Sequence, residues 1–138
     1  MSMDELSDIF DTYALLSERR DKYFDAMVKY LTQLKDNGYP TLRDIIKSGN
    51  YVSFTFMGRN IRIQHEISMT KDFSRVKWLN VEIDCNDRIE TTCILTYRID
   101  QNGQIIDGEN QYNLSIKVNK YLIDGLVKFF KEIETKQE

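Results

Sequence analysis

The chain has 138 residues, with 19 Lys and Arg against 22 Asp and Glu, a formal net charge of -3, and 41% apolar and 12% aromatic content. That length suits one compact domain with a real core, and the scarcity of Gly and Pro excludes a disordered, collagen-like or linker-rich chain. No apolar run nears the ~18 residues of a membrane span. The opening Met1-Ser2-Met3-Asp4-Glu5 lacks the pattern of a signal peptide, so a cytoplasmic protein without a membrane partner is expected.

From Asp4 to Asp36 the apolar residues Leu6, Ile9, Phe10, Tyr13, Leu16, Tyr23, Phe24, Met27, Leu31 and Leu34 recur in steps of three and four. This spacing predicts an amphipathic helix, interrupted only by Arg20, and is equally compatible with two helices meeting near Ser17-Glu18. Asn37-Gly38 supplies the stop. Thr41-Leu42-Arg43-Asp44 resembles a capping box and predicts a short second helix closed by Gly49.

The period then changes to two. Val52, Phe54 and Phe56 alternate with Ser53, Thr55 and Met57, and Ile61, Ile63, His65 and Ile67 alternate with Arg62, Gln64, Glu66 and Ser68. Gly58-Arg59 suits a type II′ hairpin that sets Phe56 opposite Ile61, Phe54 opposite Ile63 and Val52 opposite His65. A second hairpin is expected from Trp78 to Ile99, with its turn centred on Ile89. That register places Cys85 across from Cys93, Ile83 from Leu95, Val81 from Tyr97 and Leu79 from Ile99 on the core side. Asn102-Gly103 signals a third turn, and Gly108 a bulge or strand break. Tyr112, Leu114, Ile116 and Val118 read as a last strand. Asn119 then caps a final helix with Leu122, Leu126, Phe130 and Ile133 on one side, where Gly125 allows close approach to the sheet.

The expected fold is therefore α+β: an antiparallel meander of about five strands, with a long N-terminal helix and a C-terminal helix packed on one face. The whole of 1–138 forms the single domain, divided into a helical segment (1–49), the sheet (50–118) and the last helix (119–138).

Chemistry-bearing motifs are sparse. His65 is the only histidine and lies on the apolar side of a strand, which suits a packed structural residue better than a general base. Cys85 and Cys93 match no redox or zinc spacing and read as two buried thiols. The segments beginning at Asp84 and Asp100 fail the calcium-loop template, with Ile89 and Ile105 where Gly is needed and Leu95 and Gln111 where Glu is needed. All glycines are isolated, so there is no phosphate-cradling loop, and no nucleophile elbow occurs. No cofactor, no metal and no catalytic activity are expected. Basic residues are interleaved with acidic ones, as in Arg19, Arg20 and Lys22 beside Glu18, Asp21 and Asp25, and again along Lys128 to Glu138. That pattern argues against direct nucleic-acid binding.

The outer sheet face stands out. Tyr51, Met57, Trp78 and Ile94 are expected there among Arg62, Gln64, Glu66, Asn80, Glu82, Thr96 and Arg98. A mixture of aromatic residues and arginine is typical of recognition surfaces. Trp78, Arg62, Arg98, Ile94, Asn80 and Tyr51 are the candidate partner-binding residues, centred on Trp78. The expected function is that of a small acidic protein-binding module of inhibitor, immunity or chaperone type, acting on a partner protein, with a homodimer compatible. The alternative is a small-molecule-binding domain that holds a ligand between sheet and helices.

Overall fold

The computed structural model describes residues 2–38, 41–68, 73–100, 102, 104–107 and 110–137, with side chains except those of 104–121 and 136–137. Helix α1 runs unbroken over Met3–Asp36. The Ser2 hydroxyl accepts from the Glu5 amide at 3.1 Å, and Asp4 and Glu5 lie in the first turn, where the helix dipole favours negative charge. Seven strands follow in a meander, each paired antiparallel with the next: β1 (Arg43–Lys47), β2 (Tyr51–Phe56), β3 (Arg59–Ser68), β4 (Phe73–Ile83), β5 (Ile89–Asp100), β6 (Gln104–Asp107) and β7 (Asn110–Asn113). Helix α2 (Leu114–Gln137) ends the chain. The α+β architecture and its antiparallel sheet agree with the reading from sequence.

Four local expectations are corrected. The short helix between Thr41 and Gly49 is instead strand β1. Ile45 packs against the core and Ile46 faces outward, so pairing with β2 overrides a capping signal too short to pack as a helix. A register shift between Arg43 and Ile46 holds Asp44 at φ 57°. Second, α2 begins at Leu114 rather than at Asn119, so 114–118 is not strand. Leu114, Val118, Leu122 and Leu126 also stand four apart, a spacing that suits the helix. Third, the first hairpin turns on Met57-Gly58, both at positive φ (50° and 77°), which is a type I′ turn. The pairs are therefore Phe54 with Ile61 and Val52 with Ile63. The shift is by two residues, so every side chain keeps its expected face.

The fourth correction inverts a strand. The β4–β5 turn lies over 84–88, not around Ile89. The Asp84 carboxylate accepts from the Asn86 and Arg88 amides at 2.9 and 2.8 Å, and Asp87 adopts φ 59°. At the tip Ile83 pairs with Ile89 and Leu79 with Cys93; beyond that, Trp78 pairs with Leu95 and Val76 with Tyr97. Ile94 is thus an extra residue, a β-bulge in β5. Unbroken alternation would have set Trp78 against Ile94. With the bulge, Val76 and Trp78 join Leu95, Tyr97 and Ile99 on the core side, while Leu79 and Val81 turn outward. Asn102 accords with the third turn, since Ile99 pairs with Ile105 around it. Gly103 and Gly108 lie outside the described residues.

Both helices cover the same sheet face. Phe24, Met27 and Leu31 of α1 and Leu122, Leu126, Phe129 and Ile133 of α2 share one core with Val52, Phe54, Ile61, Ile63, Val76 and Trp78. Trp78 is its largest member. It is fully buried, its indole N–H donates to the Tyr97 hydroxyl at 2.8 Å, and its ring lies 6.2 Å from that of Phe129. The seat for this ring is Gly125: a Cβ there would stand 2.6 Å from Trp78 Cζ2. The close approach expected of Gly125 is therefore present, and its contact is Trp78.

Gly125→Ala should cost about 1–3 kcal/mol in urea unfolding, because overpacking against a fixed indole outweighs the gain in helix propensity. In a Trp78→Phe background the same change should cost measurably less, a coupling that a double-mutant cycle reads directly. Met57→Asn should raise stability by about 0.5–1 kcal/mol, since Asn-Gly is favoured where both turn residues need φ > 0.

Candidate functional site

The face of the sheet away from the helices is built by period-two alternation on β2 to β5. Register sets its residues in rows. Ser53, Arg62, Leu79 and Cys93 form one row, and Tyr51, Gln64, Lys77 and Thr96 the next. Glu66, Arg75 and Arg98 follow, then Ser68, Phe73 and Asp100. Thr55, Asn60, Val81 and Thr91 complete the other end.

The candidates chosen from sequence divide. Arg62, Arg98 and Tyr51 lie on this face. Trp78 and Asn80 do not: they are 0% and 6% exposed on the helix side, because the bulge at Ile94 reverses the orientation assumed for β4. The Asn80 amide donates to Glu82 at 3.0 Å, and Glu82 pairs with Arg59 at 3.5 Å. Ile94 is half-buried at the bulge and packs against the core. Arg75, Lys77, Leu79 and Val81 take the vacated places. Their signal was present in the sequence, since Val76 and Trp78 alternate with Arg75 and Lys77 once the strand is started at Phe73.

Electrostatically the face is basic within an acidic chain. Arg62, Arg75, Lys77 and Arg98 stand against Glu66 and Asp100. Arg62 lies over the Tyr51 ring at 4.5 Å and Arg98 over Phe73 at 5.2 Å, geometries that hold each guanidinium by cation–π attraction. Glu66 accepts from Lys77 at 3.0 Å and from Gln64 at 3.3 Å. Arg75 and Arg98 are direct cross-strand neighbours, both exposed, and neither meets a carboxylate among the described residues. Like charges directly opposite on adjacent strands destabilise a sheet. The arginine pair is therefore held at a cost in folding energy.

The thiols do not face each other. Cys85 is exposed in the 84–88 turn, and Cys93 is exposed opposite Leu79. The expectation of two buried, opposed thiols is corrected, because moving the turn from Ile89 takes Cys85 out of the ladder. The Asp84 carboxylate serves the turn's own amides. Among the described residues no cluster of three or more His, Cys, Asp or Glu is arranged to hold a metal, and no helix is long and apolar enough to cross a membrane.

His65 lies on the helix side, buried between Tyr23 and Phe24 at ring distances of 5.1 and 4.6 Å. Neither ring nitrogen finds a hydrogen-bond partner among the described residues. Cys93 is on the opposite face, so the two cannot act as a thiolate–imidazole pair. Burial, and secondarily the Arg20 guanidinium, push the His65 pKa down from 6.5 to about 3.

The unfolded chain therefore binds a proton below about pH 6.5 that the folded chain refuses. His65 contributes its full share of stability above that pH and loses it as the pH falls toward 3, at about 1.4 kcal/mol per unit. Between pH 7 and pH 5 the wild type should lose about 2 kcal/mol more than His65→Phe in urea titrations. Comparison with family models, with curated proteins and with solved structures finds no match for the chain.

Proposed function

We propose that this chain is a small non-catalytic protein-binding module, and that its working surface is the outer sheet face around Arg62, Arg75, Lys77 and Arg98. One observation carries the reading: two exposed arginines stand side by side across β4 and β5 without a carboxylate of their own among the described residues. Arginine forks suit carboxylates, so the partner segment is acidic. Leu79 and Val81, half-buried beside them, supply apolar contact.

Two details favour protein over nucleic acid. The rings of Tyr51 and Phe73 each have a guanidinium over them rather than standing free for base stacking. The net charge of -3 would also repel a polyanion at long range. On the helix side the space is filled by Trp78, Phe24, Phe54 and Phe129, all fully buried or nearly so, which favours the outer face over an interior ligand site. An inhibitor, immunity or chaperone role is the use to which such a face would be put, by covering an acidic surface of another protein.

The test is retention of a protein from a lysate of the native cell on immobilised wild-type chain and on Arg75→Glu/Arg98→Glu. A control with the same charge change elsewhere, Lys29→Glu/Lys131→Glu, alters exposed helix positions. The sheet variant should lose the retained protein, a weakening of about 30-fold or more, with stability within ~0.5 kcal/mol of wild type. Equal retention by all three chains, or material released by nuclease, contradicts the reading.

A further inference from the structure

The first half of α1 contributes no buried residue to the core. From Ser2 to Leu15 no side chain is buried, whereas Leu16, Tyr23, Phe24, Met27 and Leu31 are. Yet this half carries a regular apolar stripe, with Leu6 and Ile9 half-buried and Phe10 64% and Tyr13 43% exposed. The same turns hold Asp4, Glu5, Asp8 and Asp11, and no Lys or Arg precedes Arg19. A helical segment with so little burial is marginal in water, so exposed Phe10 and Tyr13 along its stripe call for a cover.

We infer that the cover is a second copy of the chain: the acidic first half of α1 from one protomer lies across the basic outer sheet face of the other, and reciprocally. This rests on the reading of that face as the working surface, and names what occupies it in the absence of another partner. Charge selects the pairing. Helix against helix would oppose Asp4, Asp8 and Asp11 to themselves, and face against face would oppose Arg75 and Arg98 to themselves. Only helix on face brings opposite signs together. Dimensions agree as well. Thirteen helical residues span about 20 Å, against about 15 Å for the four strands β2 to β5 spaced at ~4.8 Å. The stripe meets Leu79 and Val81, while the flanking carboxylates reach Arg62, Arg75, Lys77 and Arg98. Because each protomer offers one helix and one face, a two-fold axis satisfies both contacts at once and closes the assembly at two copies.

The experiment is sedimentation equilibrium of the whole chain over a range of concentration, for wild type, Asp8→Lys/Asp11→Lys, Arg75→Glu/Arg98→Glu, and an equimolar mixture of the two variants. The wild type should dimerise. Each variant alone should show a dimer dissociation constant raised by about 30-fold or more. The mixture should regain the dimer, since both of its interfaces again pair opposite charges. A wild type that is monomeric at all concentrations overturns the inference, as does a dimer insensitive to both reversals. The two proposals fail separately. A monomeric wild type whose partner is still lost with Arg75→Glu/Arg98→Glu removes the dimer alone. A dimer broken and restored as described, with retention of the other partner unchanged by the sheet variant, removes the partner reading alone.

Discussion

The contact on which the rest of the molecule depends is that between the Trp78 indole and the backbone of α2 at Gly125. A full tryptophan is set into the sheet beneath a helix that has no side chain at the point of approach. The polar end of the indole is satisfied by Tyr97, on the neighbouring strand and the same face, so its burial leaves no orphaned donor. Fixing Trp78 inward fixes the whole of β4. Ser74, Val76 and Asn80 go in with it, and Arg75, Lys77, Leu79 and Val81 must come out. The basic face is thus a consequence of where the largest core residue sits.

That constraint explains what was legible in the sequence and what was not. The helix stripe from Leu6 to Leu34, the strands Val52 to Phe56 and Ile61 to Ile67, and the Gly125 approach all follow from periods of 3.6 and 2 and from the size of a glycine. Where the turn was misplaced by one residue, at Met57-Gly58, the pairing slid by two and the faces survived. In β4 and β5 they did not, because the bulge at Ile94 breaks the alternation of β5, so that Cys93 faces out and Leu95, two residues on, faces in. Leu79, Val81 and Ile83 make as good an apolar row as Val76 and Trp78 when read alone. What separates them is pairing with Tyr97 and Leu95 across the bulge, a non-local fact. Thr41 to Asp44 failed for a related reason, since a local capping signal competed with an open strand edge on β2 and lost.

The candidate site was half legible. Arg62, Arg98 and Tyr51 were assigned to the outer face by alternation in β2, β3 and β5, none of which depends on β4. Arg75 and Lys77 were missed because the strand was started at Trp78 rather than at Phe73. Their recovery changes the character of the surface from an aromatic centre to a cationic one. Among the described residues Arg62, Arg75 and Arg98 gather on the outer sheet face, and Asp4, Asp8 and Asp11 on the first half of α1, none of them in an ion pair.

The central claim is the inward orientation of Trp78, and the chain's single tryptophan makes it directly measurable. Intrinsic fluorescence with acrylamide quenching, at neutral pH and then in urea, reports the surroundings of this ring alone. An inward Trp78 gives blue-shifted emission and weak quenching in the folded protein, with both lost together on unfolding. Emission like that of free indole in water, quenched equally before and after unfolding, would put Trp78 on the outer face and contradict the placement of Arg75 and Lys77 there.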